Sequence, residues 1–240
     1  MSGSAQGASS VWSVLPGRVT SGARAQAVYT ALLEELLEGD LQPDDWLSVV
    51  DIAERMACSR APVMEAIKRL ASEGFVTIFP QVGCRVTMPN PAEVGDFFRV
   101  FAAVEGCVAR LAAERRTAVD LEEFELAWTQ MARLLRNAGG PTASDPVYRR
   151  TNILFHKQIH RMAHGHSASQ IAAALWERSD FYIKVAFGSL YFSRRVKDAH
   201  ESIRNAIIEG DPDIAESAVV EHLRTVGVEV SRRLRELSSC

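Results

Sequence analysis

Four polar residues in the second half of the chain have the types and the spacing of a metal site. Asn152 and His156 are one helical turn apart and therefore lie on the same face of a helix. His200 precedes a turn-forming segment, 210–213, and His222 lies about as far beyond it, so an antiparallel helix pair would bring the two to similar height. Imidazole nitrogens combined with an amide oxygen suit Zn, Ni or Mn. The sequence therefore predicts that these four residues bind one divalent metal ion.

The other histidines leave alternatives open. His160 lies one further turn along from His156 and is a rival ligand, whereas His164 and His166 flank Gly165 at a predicted helix end and are expected to be exposed. A histidine is most often a surface or half-buried residue. If this holds for all of these histidines, they bind no metal, and the helical domain serves only to form a dimer. An open position on a bound metal could activate water in a hydrolytic enzyme, but no carboxylate is placed as a general base.

Helices must position these residues, because no convincing strand pattern occurs in this part of the chain. Apolar periodicity predicts helices over 92–115, 118–137, 144–164, 167–190, 193–209 and 212–237. Breaks occur at Thr117, 138–141, Gly165 and 210–212. We therefore expect an all-α domain of about six helices, most simply an antiparallel bundle. It would span residues 92–240 and follow a stiff Pro-Asn-Pro linker at 89–91.

The segment 59–74 is a second candidate functional element. Val63, Ile67 and Leu70 recur at helical spacing and form an apolar stripe. The opposite face carries Arg60, Met64, Lys68 and Arg69. An anchored helix with cations near its N-terminus is typical of a helix that enters the major groove of DNA. An ordinary amphipathic surface helix has the same pattern, so the neighbouring elements decide between the two interpretations.

Those neighbouring elements favour DNA binding. Helical patterns at 25–38 and 48–57 precede the segment, and two β-rich runs, 75–79 and 84–87, follow it with a Pro/Gly turn between them. Three helices and a β-hairpin in this order form a winged helix-turn-helix domain, which we place at residues 24–88. The whole protein is thus predicted to be mostly α.

Composition sets the remaining expectations. The chain has 240 residues, of which 47% are apolar, enough for two domains. Residues 1–23 are rich in Gly, Ser and Ala and are predicted to form a disordered tail. Without a secretory signal or a long apolar run, the protein is expected to be soluble, cytoplasmic and free of membrane. Residues 1–90 carry 7 Lys and Arg against 10 Asp and Glu, which argues against tight nonspecific DNA binding, although the cations are concentrated within 60–85.

Residues 25–87 resemble the DNA-binding domain of GntR-type transcriptional regulators. The resemblance is carried by Leu47-Ser48, Ile52-Ala53-Glu54, Ser59-Arg60-x-Pro62-Val63-x-Glu65-Ala66, Arg69-Leu70, Glu73-Gly74 and Gly83-x-Arg85-Val86. The predicted β-hairpin at 75–87 would form the wing of this domain. We expect DNA contacts from two helix starts, the exposed helix face and the wing: Ser48, Ser59, Arg60, Ala61, Pro62, Met64, Lys68, Arg69, Gln81, Gly83 and Arg85. Family members usually carry Arg where this chain has Met64, and often a basic residue where it has Val82. Met64 can contact a thymine methyl but cannot donate to guanine, which leaves Arg60 as the expected base reader.

Residues 92–237 are similar to the FCD-type ligand-binding domain of the FadR branch of these regulators. The matching residues are Glu105, Leu111-Ala112-Ala113-Glu114, Asn152-x-x-Phe155-His156, His200-x-x-Ile203-x-x-Ala206-Ile207-x-x-Gly210-Asp211 and Ala215-x-x-Ala218-x-x-x-His222-Leu223. In that family an Asp and three His hold a divalent metal, and the corresponding positions here are Asn152, His156, His200 and His222. Asn152 keeps an oxygen ligand but removes one negative charge, so a lower metal affinity is expected.

The resemblance also implies a regulatory mechanism. The protein would be a homodimeric regulator, most commonly a repressor, that binds a short palindrome in double-stranded DNA and responds to a small-molecule effector at the metal. An organic acid is one candidate effector. Family members often place an Arg near Phe101 to meet a carboxylate. This chain has Arg99 two residues earlier, on a different helix face, which argues against a simple dicarboxylate or sugar acid as the effector. The candidate effector-binding residues are Arg99, Phe101 and Arg149. A regulator that responds to the metal alone is the alternative.

Overall fold

The described residues form two compact units, one within residues 1–88 and the other within residues 89–240. The structure is a computed structural model that describes residues 22–136, 146–188 and 194–238. Nearly all of the predicted tail, residues 1–23, lies outside the described residues; Ala23 already begins the first helix. Across the described ranges, no helix has the length and apolar content needed to cross a membrane.

The first unit contains three helices and a small antiparallel sheet. In chain order its elements are α1 (Ala23–Glu38), β1 (Trp46–Leu47), α2 (Val49–Arg55), α3 (Arg60–Ser72), β2 (Val76–Phe79) and β3 (Gly83–Val86). The strand order is β1-β3-β2, with Val76 opposite Val86 and Trp46 opposite Arg85. The winged helix-turn-helix prediction is confirmed, with one addition. The prediction did not include strand β1, because two residues are too few to show strand periodicity.

The apolar stripe of α3 fixes this helix in the core of the unit. Val63, Ile67 and Leu70 are completely buried, and α3 contacts both α1 and α2. Ser48 begins α2 as its N-cap, because its Oγ accepts a hydrogen bond from the Asp51 N–H at 3.2 Å. Burial of one face of α3 leaves its other face available for recognition.

The second unit consists, in the described residues, of six helices, as predicted. They are α4 (Pro91–Arg115), α5 (Ala118–Arg136), α6 (Pro146–Met162), α7 (His166–Phe187), α8 (Arg194–Glu209) and α9 (Pro212–Ser238). Helix α4 contacts α6, α7, α8 and α9, so it is the central helix of the unit. The predicted linker is shorter than expected, because the Asn90 side chain caps α4 and Pro91 is already helical.

Two glycines allow α4 and α9 to pack closely. A Cβ on Gly106 of α4 would lie 2.6 Å from Val220 Cγ2 of α9. A Cβ on Gly227 of α9 would lie 2.8 Å from Phe98 Cγ of α4 and closer still to the Phe98 Cβ. Larger residues at these positions would force the two helices apart, since packed interiors contain little free space.

We predict that Gly227→Ala lowers the stability of the helical unit by about 1–3 kcal/mol, the usual effect of overpacking a core. Thermal unfolding followed by far-UV circular dichroism measures the change. Gly95→Ala on α4 is the matched control, because its Cβ would lie 3.5 Å from Ser231 Oγ, an ordinary contact, and alanine favours the helix. Equal behaviour of the two variants would contradict the close packing of α4 on α9.

Candidate functional site

The structure brings three of the predicted ligands together in the helical unit. His156 of α6, His200 of α8 and His222 of α9 are buried, and their ligand nitrogens all lie within 4.8 Å of one another. The Nε2 atoms of His156 and His200 are 3.3 Å apart. Asn152 joins the cluster, since its Oδ1 lies 2.9 Å from His200 Nε2. The three predicted histidine ligands therefore form one cluster, and Asn152 contacts it through His200.

The local sequence explains this convergence. Asn152 and His156 share a face of α6 because they are one helical turn apart. Between α8 and α9, Gly210 adopts a left-handed conformation with φ of 74°, and Asp211 Oδ1 accepts hydrogen bonds from the first backbone N–H groups of α9. This tight turn folds α9 back along α8, which brings His222 level with His200.

Hydrogen bonding fixes the tautomer of His200. Its Nδ1 lies 2.7 Å from the Val196 carbonyl oxygen, one turn back in α8, so Nδ1 carries the proton. The Nε2 lone pair consequently faces the amide oxygen of Asn152 and Nε2 of His156, where a cation would satisfy several acceptors at once. His156 Nδ1 is also buried without a hydrogen-bond partner among the described residues. This donor set fits a divalent metal ion.

Burial keeps the three imidazoles uncharged. Desolvation lowers the pKa of His156 and of His222 well below the ordinary value of 6.5, and the neighbouring His200 lowers both further. Desolvation also lowers the pKa of His200 to about 4, although its hydrogen bond to Val196 opposes the shift. At neutral pH, all three rings therefore present lone pairs, as metal binding requires.

His160, the rival ligand, has another partner. Its Nε2 lies 2.9 Å from Oε1 of the buried Glu105, which also accepts a hydrogen bond from the Trp176 indole N–H at 2.9 Å. The cluster of possible ligands in the described residues contains the other three buried histidines and not His160. His164 and His166 are exposed, and His164 pairs with Asp120 at 2.8 Å.

A small cavity of about 50 Å³ adjoins the histidine cluster. Asn152, His200 and His222 form part of its wall, and most of the remaining wall is aliphatic or aromatic, with Trp176 as its largest side chain. Glu229 is the one charged residue among the described residues that line it. The sequence carried no signal for the other wall residues, because the wall is assembled from four different helices.

None of the three predicted effector-binding residues lines this cavity. The Arg99 side chain is 79% exposed and pairs with Asp96, so it lies on the surface. Phe101 is buried and packs edge-on against the cavity-wall residue Trp176, with ring centroids 5.0 Å apart. Arg149 pairs with the buried Asp180 at 3.2 Å. Their role in effector binding stays a prediction.

The predicted DNA-binding residues of the first unit divide into two groups. Ser48, Ser59, Arg60, Ala61 and Lys68 are exposed, and Pro62 and Met64 are half-buried beside them. The guanidinium of Arg69, by contrast, lies 3.5 Å from the Tyr29 ring centroid and donates to Gln26 Oε1 at 2.7 Å. Arg69 thus holds α1 against α3, a role that the sequence pattern did not reveal.

The wing carries little charge at its tip. Gln81 has a positive φ of 63°, Val82 is 72% exposed, and Gly83 lies against the ring of Trp46. Arg85 pairs with Asp44 at 3.1 Å and lies near the rings of two aromatic neighbours, Trp46 and Phe79. The free cations of the recognition surface are therefore on α3 and not on the wing turn at 80–83.

The fold and these sites define a two-domain, winged-helix transcriptional regulator. Residues 24–86 match the gntR family of bacterial regulatory proteins, and residues 96–225 match the FCD domain. A relative in Streptomyces ambofaciens, an uncharacterised HTH-type transcriptional regulator, is 30% identical over 207 residues, covering 85% of this chain and 84% of that protein. The chain belongs to the GntR family and carries an FCD domain, which confirms the prediction of a regulator rather than an enzyme.

Other comparisons agree. The HTH-type transcriptional repressor GlaR of Escherichia coli (strain K12) is 25% identical over 204 residues, covering 82% of this chain and 91% of GlaR. The solved structure of E. coli McbR/YncC superposes with a TM-score of 0.69 at 18% identity and covers 88% of this chain and 99% of that chain. The latter likeness shows that the fold is shared.

We predict that acid destabilises the metal-free helical unit. His200 binds a proton only near pH 4 when folded, whereas in the unfolded chain it does so near 6.5, so stability falls as pH drops through this window. The loss attributable to His200 is on the order of 3 kcal/mol. Urea unfolding of chelator-treated protein at several pH values measures it. His200→Gln should flatten the dependence and His166→Gln, at an exposed site, should not; identical profiles would refute the assignment.

Proposed function

We propose that this protein is a homodimeric repressor whose operator affinity is controlled by a small molecule bound beside a divalent metal ion in its helical unit. The observation that carries the proposal is the convergence of Asn152 and three buried, uncharged histidines next to a cavity. The relative GlaR is named a transcriptional repressor, which supports the sign of the regulation. Acting on chromosomal DNA, such a regulator works in the cytoplasm.

The residues of the cluster would act as ligands and not as catalysts. Asn152 would offer its carbonyl oxygen, and His156, His200 and His222 would each offer one nitrogen. When bound, the metal supplies a localised positive charge that attracts an anionic oxygen of the effector. The hydrogen bond from His200 Nδ1 to the Val196 carbonyl oxygen would keep the ring oriented, because a histidine that binds metal through one nitrogen commonly donates from the other.

The cavity supports an organic acid with an apolar body as the effector. Because all four protein ligands are neutral, the charge of a bound divalent ion would be balanced best by an anionic group of the effector. The aliphatic and aromatic walls would bury the rest of the molecule. Glu229 would repel a second carboxylate, so this proposal favours monoacids over dicarboxylates.

DNA recognition would use α3 of each protomer in adjacent major grooves of a short palindrome. Arg60 lies in the first turn of α3, where a helix-turn-helix protein reads base edges, and would bind guanine. Lys68 lies two turns further along and would contact the phosphate backbone. By linkage, an effector that weakens operator binding must itself bind less tightly to the DNA-bound protein.

The small volume of the cavity favours a second candidate function. About 50 Å³ leaves little room for an organic molecule beside a metal ion. In that case the metal itself would be the signal, and operator affinity would follow metal concentration without any organic effector. Operator binding measured with metal alone, and then with metal and added monoacids, separates the two functions.

We predict different effects for the two exposed cations of α3. Arg60→Ala should reduce the preference for an operator that the wild type selects from a random-sequence duplex pool, by about 1–3 kcal/mol. Lys68→Ala should weaken binding to operator and random duplex alike and reduce the dependence of log affinity on log salt by about one. Fluorescence anisotropy at several salt concentrations measures both. Equal losses on both duplexes for both variants would contradict the assignment.

We predict near-stoichiometric divalent metal in purified wild-type protein and its loss in His156→Ala/His222→Ala, because two of four ligands are removed. Elemental analysis measures the content. His166→Ala, at an exposed site, is the matched control and should keep the metal. Asn152→Asp should bind metal more tightly, since it adds a negative charge to a neutral ligand set. Equal metal content in wild type and the double variant would refute the site and leave the DNA-binding proposal intact.

A further inference from the structure

A buried carboxylate on α4 connects three helices. Glu105 is only 2% exposed, and its Oε1 accepts hydrogen bonds from His160 of α6 and from Trp176 of α7, both at 2.9 Å. Removing a carboxylate from water is unfavourable unless donors replace the lost hydration. Because these donors come from two other helices, Glu105 fixes the relative positions of α4, α6 and α7.

The hydrogen bond to Trp176 also fixes one wall of the cavity. An indole N–H can only donate, and that of Trp176 donates to Glu105, which holds the ring in place. The ring centroid lies 4.3 Å from that of His156, and the ring forms part of the cavity wall. Through Trp176, Glu105 is thus one contact away from a candidate metal ligand and from the cavity.

Helix α4 is the element through which the chain enters the helical unit. It begins at Pro91, directly after the segment that follows the DNA-binding unit, and the Asn90 side chain caps it. Glu105 lies about 21 Å along this helix from Pro91 at the usual rise of about 1.5 Å per residue. The group that holds the cavity wall therefore sits on the helix that continues from the DNA-binding unit.

We propose that Glu105 is a positioning residue that couples occupancy of the histidine cluster to α4. A ligand at His156 presses on the Trp176 ring. The ring then either moves Glu105, and α4 with it, or leaves its own N–H unpaired in a buried environment. This coupling rests on the proposed sensory function of the cluster, and it adds the path by which that cluster reaches α4.

Hydrogen exchange of the full-length protein, with and without Zn²⁺, tests the coupling. In wild type, Zn²⁺ should slow exchange of α6, α8 and α9 through its ligands, and should slow exchange of α4 by on the order of tenfold, a typical size for coupling between sites. Trp176→Phe keeps a ring but removes the N–H, and Glu105→Leu removes the acceptor. Both should retain Zn²⁺ and the response of α6, α8 and α9, but lose the response of α4.

Two further variants separate coupling from general stability. Glu105→Gln keeps an acceptor oxygen and should preserve the α4 response, whereas Glu114→Gln changes an exposed carboxylate of the same helix and should have no effect. If Glu105→Leu does not fold, Trp176→Phe breaks the same hydrogen bond from its other end. Persistence of the α4 response in Trp176→Phe, or its absence in zinc-bound wild type, overturns the coupling alone. Failure of wild type to bind Zn²⁺ overturns the proposed function, and the coupling with it.

Discussion

Three imidazoles that are buried against one another must remain uncharged, and the arrangement of the helical unit depends on this constraint. His156, His200 and His222 come from three helices, so α6, α8 and α9 cannot slide without separating them. Aromatic rings surround the cluster: Phe155 lies 5.3 Å from His200 and Trp176 lies 4.3 Å from His156, between ring centroids. Such surroundings exclude water and so stabilise the neutral, lone-pair form of each ring.

Helix α4 connects this cluster with the rest of the chain. Glycines on α4 and α9 let the two backbones approach, and Glu105 reaches from α4 to donors on α6 and α7. Close packing of this kind transmits displacement, because a well-packed interior has few soft contacts to absorb it. Helix α4 both stabilises the unit and is well placed to move when a ligand binds at the histidine cluster.

The winged unit uses its few cations for different purposes. Arg69 and Arg55 tie α1 to its neighbours through Gln26 and Glu35, and Arg85 pairs with an acidic residue beside the wing. Cations already paired within the protein release few counterions on binding DNA, so electrostatic, nonspecific affinity should be low. Recognition then depends on a small number of contacts from α3, where Arg60 is exposed and half-buried Met64 offers an apolar contact.

Much of the fold could be predicted because it is encoded locally. Apolar periodicity and Gly- and Pro-containing breaks placed the six helices of the second unit within a few residues of their observed bounds. Strand β1 could not be predicted, since two residues have no measurable period and the strand exists only through its pairing with β3. The segments 1–21, 137–145, 189–193 and 239–240 lie outside the described residues, so the predictions made for them stand as predictions.

The sequence by itself determined which residues could bind a metal, because the i, i+4 spacing of Asn152 and His156 and the turn before His222 are local features. Only the tertiary structure showed that His156 joins the histidine cluster whereas His160 pairs with Glu105 of a different helix. It also decided that Arg69 stabilises the domain and that residues from four helices enclose a cavity. Local periodicity specifies which face of a helix is buried, but the side chain that meets this face is set by packing between distant segments.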